Sequence, residues 1–358
     1  MLRNIAKDNS MDQQSSYAKK IRVEKAIGMS IAHDITEIRP GEFKGVAFKK
    51  GHKVEQKDIC RLMRLGKKHL YVLDLSIDMV HEDEAAFELA RGLSGKNVIY
   101  EDSPREGKLR LRAKHDGLLK IDVDSLIEFN MIEDVMCASL HTNIPVKKNQ
   151  DIAGLRILPL VIKRKILDNA IRVAKRMGPI FTIKKFKPLK VGLLVTGSEI
   201  FEGLIEDRFE GIVRKKVEYY GSRLVETLIL PDEKTIITKN IEKLLQNNID
   251  IIIATGGMSV DPDDVTRRGI MDAGVERVYY GAAVLPGAMF QLGYSKNVPV
   301  IGIPACALYH EITVFDLILP RLLVDERPDG RDLAKLAHGG FCINCDVCRY
   351  PACSFGKV

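Results

Sequence analysis

Two groups of residues in this chain have types and spacings that could do chemistry. The first is a set of carboxylates, Glu199, Asp207, Asp261 and Asp264, in or just after two glycine-containing turns. Those turns are Thr196-Gly197-Ser198-Glu199 and Thr255-Gly256-Gly257-Met258-Ser259-Val260-Asp261. Carboxylate oxygens are hard ligands suited to Mg²⁺, which keeps several waters and bridges substrate phosphates. Glycine lets the backbone approach a ligand and aim amides at an anion. Helix caps and turns also recruit aspartate, so the functional reading rests on two such turns occurring together. The second group is Cys342, Cys345, Cys348 and Cys353, spaced C-x2-C-x2-C-x4-C in the last seventeen residues. Four thiolates can hold Zn²⁺ tetrahedrally. Three cysteines spaced by two residues, with a fourth nearby, come closer to the run that carries an iron–sulfur cluster. The iron–sulfur reading is preferred, with zinc the alternative and a redox disulfide pair the third.

Something rigid must position the two turns. From residue 191 onward, apolar strands at Val191–Thr196, Leu224–Leu230, Ile249–Thr255 and Val298–Ile303 alternate with helical segments. The helices are expected near Phe209–Tyr220, Thr235–Asn247, Asp264–Ala273 and Ala307–Leu323. Short, uniformly apolar strands alternating with helices predict an α/β fold, a parallel sheet covered by helices on both faces. Ligands in such folds sit outside the carboxyl ends of the strands, where both turns fall. Upstream, Val23 to Val161 reads as mostly strands and turns, with one acidic helix at His81–Leu93. A helix over Ile162–Met177 follows, stopped by Gly178-Pro179, and a basic stretch to Lys190 reads as a linker. The expected organisation is a frayed leader over 1–20, a β-rich region over 21–162, and a basic helix and linker over 163–190. The α/β domain then spans 191–328, with a cysteine-rich, metal-binding tail over 329–358.

Composition fits a soluble, cytoplasmic globular protein, with 46% hydrophobic and 29% charged residues in 358. No apolar run approaches membrane-spanning length, and no signal-peptide core opens the chain. The net charge of +7 is unevenly spread: residues 1–190 carry 37 basic and 25 acidic side chains, residues 191–358 carry 18 and 23. The excess concentrates between Lys147 and Lys190; with aromatic residues only 6% of the chain and no Trp, nucleic-acid binding is disfavoured. Cys60, Cys137 and Cys306 read as reduced, incidental thiols, Cys306 as a small hydrophobe at a strand–helix junction. His310 and the other histidines show no metal-ligand spacing. Arg267-Arg268 reads as a solvated helix face.

These residues resemble a known family. Thr196-Gly197-Ser198-Glu199-Ile200, the helix start at Asp207, Thr255-Gly256-Gly257-Met258-Ser259-Val260 and Asp263-Asp264-Val265-Thr266 are similar to the molybdenum-cofactor biosynthesis domain shared by MogA, MoeA and gephyrin. The Pro286-Gly287 turn and Gly302-Ile303-Pro304 also fit. At the front, Ala26 to Asp34, Pro40-Gly41-Glu42-Phe43 and Lys50-Gly51-His52 resemble the MoeA opening over a shorter stretch.

The resemblance implies a ligand, molybdopterin, bound by Thr196, Gly197, Ser198, Gly256, Gly257, Ser259, Asp261, Pro286, Gly287 and Pro304. It implies that Asp207 and Asp264, supported by Glu199, act at a Mg²⁺-assisted phosphate site. Adenylylation of molybdopterin with ATP, releasing AMP later, and molybdate insertion are the implied reactions; a homo-oligomer, dimer or trimer, is the implied assembly. Two turns depart from the MoeA pattern: Pro286-Gly287-Ala288-Met289 replaces Pro-Gly-Lys-Pro, and Pro304-Ala305-Cys306-Ala307 replaces Pro-Gly-Asn-Pro. The missing lysine should weaken phosphate binding. It leaves open a carrier or sensor that binds molybdopterin without turnover, alongside a CinA-like nucleotide pyrophosphatase.

Overall fold

Alternate side chains of a β-strand leave its two faces, and in the second half of this chain both faces lead into core. The computed structural model describes residues 18–39, 43–73, 78–258 and 265–357. Chain contacts divide it into two compact units. The second comprises residues 183–358 with two excursions from upstream, 115–120 and 141–148.

The second unit is built on a six-stranded sheet. Its strands are β1 (Lys190–Thr196), β2 (Arg223–Leu230), β3 (Ile251–Thr255), β4 (Glu276–Tyr280), β5 (Gln291–Ser295) and β6 (Val298–Ile303). They lie in the order β2-β1-β3-β6-β5-β4. The pairs β1–β2, β1–β3 and β3–β6 are parallel, as expected. The β4–β5–β6 edge is antiparallel, a feature the apolar runs did not reveal. Its strands are more polar, and an edge hairpin needs no helical crossover.

The helices are α1 (Ser198–Phe201), α2 (Phe209–Tyr219), α3 (Lys234–Gln246), α4 (Thr266–Asp272), α5 (Val314–Leu322) and α6 (Gly330–Lys335). Val191, Leu193 and Val195 of β1 pack with Ile251, Ile253, Ile301 and Ile303 against Phe209, Val213 and Val217 of α2 and Val314, Phe315 and Ile318 of α5. Leu194, Ile252, Ala254 and Val300 face the other way, onto Ile237, Ile241 and Leu244 of α3 and Ile270 of α4. This is the expected three-layer arrangement, with a core on each side of the sheet. Each fully buried Val, Leu or Ile contributes roughly 1.5–3 kcal/mol.

The helix expected over Ala307–Leu323 is shorter. A single 3-10 turn covers Ala305–Leu308, and α5 begins only at Val314. The cause is local: Thr313 and Asp316 form a reciprocal capping box that starts the helix there. Asp316 also accepts from Lys216 at 2.5 Å.

The first unit is β-rich, as expected. Its main sheet is antiparallel, from Val98–Tyr100, Lys108–Ala113, Asp151–Ile157 and Val135–Ser139. Helices Glu82–Leu93, Val123–Asn130 and Arg164–Lys175 accompany it. Ala18–Arg22, partly inside the expected leader, is a strand paired with His69–Leu73. The leader up to residue 17, and Pro40-Gly41-Glu42, lie outside the described residues. The basic stretch before residue 190 holds a strand, Phe181–Lys184. Lys184 and Lys187 already belong to the second unit and pair within it, Lys184 with Glu326 at 3.1 Å and Lys187 with Asp325. No helix among the described residues is long and apolar enough to cross a membrane.

Candidate functional site

The ends of β1 and β3 are fastened to each other. The Thr196 hydroxyl donates to the Thr255 carbonyl at 3.0 Å and lies 2.7 Å from the Thr266 hydroxyl at the start of α4. All three threonines are buried. Gly256 has φ +83°, and a Cβ there would stand 2.0 Å from the Thr196 carbonyl oxygen, so only glycine fits. Next along, Met258 is buried against the α3–α4 core, and its carbonyl accepts from the Tyr280 hydroxyl at 2.9 Å. The Arg267 guanidinium covers the Tyr280 ring, 4.1 Å from its centroid. Arg267 is therefore engaged in bracing β4 rather than simply solvated.

Outside these strand ends lies a cavity of about 630 Å³. Its walls are Gly256, Gly257 and Met258; Leu285 to Met289; Pro304, Ala305 and Cys306; His310; and Phe341, Cys342 and Asn344. The size and mostly apolar lining suit a small organic ligand held by a few polar groups. Among the described residues, no Lys or Arg belongs to the lining. Burial pushes the Cys306 thiol up, keeping it protonated.

Of the residues singled out in the sequence, Gly256, Gly257, Pro286, Gly287 and Pro304 meet at this cavity. Thr196 braces it from behind. Gly197 and Ser198 form the neighbouring turn, where the Ser198 amide donates to Asp232 Oδ2 at 2.8 Å and the Asp232 amide donates back to Ser198 Oγ at 3.3 Å. Glu199 is exposed on α1. Asp207 is half-buried and caps α2, its carboxylate accepting from the Phe209 and Glu210 amides at 2.7 and 3.1 Å. Ser259, Asp261 and Asp264 lie outside the described residues. A carboxylate has about four acceptor sites, so Asp207 keeps capacity beyond its cap. Among the described residues, no three His, Cys, Asp or Glu side chains gather closely enough to share an ion.

Cys306, His310, Met258, Asp232 and Tyr280 carry parts of this site that sequence reasoning missed. Asp232 sits directly after β2, where the strand-end rule that found the other two turns applies equally. Cys306 and His310 follow β6 in the same sense.

The cysteine run was expected to form one metal centre. All four thiols are free, and all four line one cavity of about 500 Å³, but they do not converge. No helix or strand fixes the segment, and Cys342 and Cys353 pack against the α2–α5 core.

The sheet, with a core packed on each face and the glycine turns at its strand ends, defines a three-layer α/β domain with a cavity outside those ends. Residues 192–323 match the family described as a probable molybdopterin binding domain. Residues 20–74 match a domain of unknown function (DUF8806). A molybdopterin molybdenumtransferase from Haemophilus influenzae is 28% identical over 145 residues, 38% of this chain and 35% of that protein. A CinA-like protein from Flavobacterium psychrophilum is 31% identical over 84 residues, 24% of this chain and 20% of that protein. The chain thus spans about a third and a fifth of the lengths of these relatives. The solved structure of the molybdopterin biosynthesis enzyme MoaB from Thermus thermophilus is 21% identical, with 39% of this chain and 98% of that one covered and a TM-score of 0.34.

Proposed function

We propose that this protein binds molybdopterin in the cavity at the ends of β3 and β6 and takes part there in adenylyl-molybdopterin formation or Mg²⁺-dependent molybdate insertion, in the cytoplasm. The observation that carries the reading is that the Gly256-Gly257 turn and the Pro286-Gly287 and Pro304 turns of the matched domain line one cavity of about 630 Å³. Its apolar walls suit the flat pterin. The glycine turns bring main-chain groups close to the ligand, as phosphate binding requires. Mg²⁺, when bound, supplies charge neutralisation on a phosphate. Glu199, Asp207 and Asp264 are the residues assigned to hold it. The Asp207 carboxylate is oriented for this by its two amide hydrogen bonds, and Asp261 and Ser259 complete the ligand turn. Nucleotide and molybdate are the co-substrates of this reading, and a homo-oligomer is its assembly.

A second reading is a carrier or sensor that binds molybdopterin without turnover. The absence of Lys and Arg from the cavity lining among the described residues favours it, because phosphoryl transfer depends on neutralising developing charge. Purified protein incubated with molybdopterin, Mg-ATP and molybdate separates the two. Turnover of ATP or of adenylyl-molybdopterin that disappears in Asp264→Ala supports the enzyme. Tight binding without turnover of either supports the carrier. Hydrolysis of a free nucleotide sugar or dinucleotide, with no molybdopterin affinity, would replace both with the CinA-like pyrophosphatase reading.

A further inference from the structure

A second cavity, of about 500 Å³, is built wholly from the second unit. One wall is a face of α2, where Ile212, Lys216 and Tyr219 recur at helical spacing. Another is the turn between β6 and α5, Ala307 to Ile312, and Tyr350 contributes from the tail. The turn is tied to α2: Lys216 Nζ donates to the Glu311 carbonyl at 2.6 Å and to Asp316 at 2.5 Å. Tyr220, Leu308, Ile312 and Tyr350 pack on the α2–α5 core. These contacts fix the cavity's shape in the folded chain, which keeps the ordering cost of binding a ligand low.

Packing accounts for the apolar walls but not for the polar groups. Tyr220 and Tyr350 are half-buried, and neither hydroxyl has a hydrogen-bond partner among the described residues. Buried tyrosine hydroxyls usually find one. Burial pushes both phenols up, so both keep their protons and can donate. Lys215 is exposed and forms no ion pair among the described residues. Tyr309 is 82% exposed, and Tyr219 is 60% exposed with the Lys147 ammonium over its ring, 4.3 Å from the centroid. Two exposed rings, two free donors and a free ammonium therefore line a single cavity.

We propose that this cavity is a second ligand site and that it takes a purine nucleoside monophosphate. The base lies against Tyr309 and Tyr219, its ring nitrogens accept from the Tyr220 and Tyr350 hydroxyls, and the phosphate meets Lys215. Each feature selects for that chemistry. Stacking on a tyrosine ring needs only a flat π-face, the two donors match the ring-nitrogen acceptors of a purine, and an ammonium holds a phosphate as a point charge. Glu311, exposed in the same lining, opposes a longer and more highly charged phosphate chain. The volume is that of an ordinary small-molecule site. Binding is non-covalent, so no bond forms or breaks. His310 lines both this cavity and the strand-end cavity, so the two sites share part of a wall. The site stands whichever ligand the strand-end cavity takes.

The test is equilibrium dialysis of the full chain against AMP, adenosine, ATP and ribose 5-phosphate, with EDTA in one arm and Mg²⁺ in the other. AMP should bind at a single site per chain with the same affinity in both arms, adenosine and ATP more weakly, and ribose 5-phosphate not measurably. Tyr309→Ala should weaken AMP about tenfold or more by removing a stacking face. Tyr350→Phe keeps the ring and removes one donor, so it should cost about threefold or more. Lys215→Ala should weaken AMP and leave adenosine unchanged, a split that loss of fold would not produce. Tyr309 and Lys215 are exposed, so their variants should melt like the wild type. Absence of AMP binding by the wild type, unchanged affinity in both tyrosine variants, or ribose 5-phosphate binding as well as AMP overturns the site. AMP binding only in the Mg²⁺ arm also overturns it, placing the nucleotide at the strand-end carboxylates instead. Loss of molybdopterin affinity with AMP binding kept would strike the strand-end reading alone.

Discussion

The ligand cavity has two walls of unlike construction. One is made of strand ends, Gly256 to Met258 and Pro304, whose positions follow from the sheet and from Thr196 locking β1 to α4. The other is Phe341, Cys342 and Asn344, which belong to no regular element and are held by main-chain bonds to Leu285. A wall set by buried apolar surface keeps its shape in any state in which the domain is folded. The tail wall rests on a handful of hydrogen bonds and on the packing of a few side chains, Cys342, Tyr350, Cys353 and Phe355, against the α2–α5 core. Local stability differs accordingly between such regions.

The largest expected effect breaks the strand-end wall. Gly256→Val puts a Cβ onto the Thr196 carbonyl at a left-handed φ, and it should cost about 3 kcal/mol or more. The thermal melt should fall sharply and molybdopterin binding should vanish. A melt like that of the wild type would show that this close approach does not set the wall. Gly340→Ala is the matching change in the tail, crowding two carbonyl oxygens, at a cost of about 1–3 kcal/mol. Here the loss should be local, read as fast proteolysis of the tail with the domain melt little changed. A cooperative collapse of the whole domain would erase the contrast between the walls.

A smaller effect tests the base of the tail. Glu326 accepts from Lys120 at 2.8 Å, Arg321 at 2.9 Å and Lys184 at 3.1 Å, and Arg321 also reaches Asp332 of α6 at 3.0 Å. Burial alone would raise the Glu326 carboxyl, but hydrogen bonds from Lys120 and Arg321 outweigh it and hold the group at about 2. The unfolded value is about 4.3. The folded value is the lower one, so this contribution is complete above the unfolded value and fades as pH falls from there toward 2. Glu326→Gln should lower stability by roughly 1–2 kcal/mol at neutral pH, after allowing for solvent screening, and by almost nothing near pH 2. Denaturant melts at both pH values check the sign. The smallest effect concerns Asp207. Asp207→Ala removes the cap of α2 and should cost about 1 kcal/mol. Asp207→Asn keeps part of the cap, so Mg²⁺-dependent turnover lost in both variants, with stability kept only in the asparagine, would assign the carboxylate a role beyond capping.

Much of the α/β domain was legible because its signal is local. Apolar runs of strand length mark β1, β2, β3 and β6, and helical spacing marks α2 and α3 within a residue or so. The edge strands β4 and β5 were not legible: tyrosines and a glycine share them with charged and polar residues, and their pairing is settled by neighbours in space. The start of α5 was readable in principle, since Thr313 and Asp316 have capping-box spacing. The cavity's glycine and proline turns stood out because those residues restrict or free the backbone. Cys306 and His310 carry no such mark, and only the tertiary arrangement brings them to the same opening as Gly256. For Ser259, Asp261 and Asp264 the reading remains one from the sequence.

The alternation of β1 between two cores has a consequence for how such a protein can change over generations. Met258 of the glycine turn belongs to the α3–α4 core, whereas Cys342, Tyr350, Cys353 and Phe355 of the tail belong to the α2–α5 core. The sheet separates the two. Substitutions accumulating in one layer can remodel the tail side while selection on the other layer keeps the glycine turn unchanged. A lineage could therefore acquire, exchange or discard the cysteine tail while inheriting the same ligand seat.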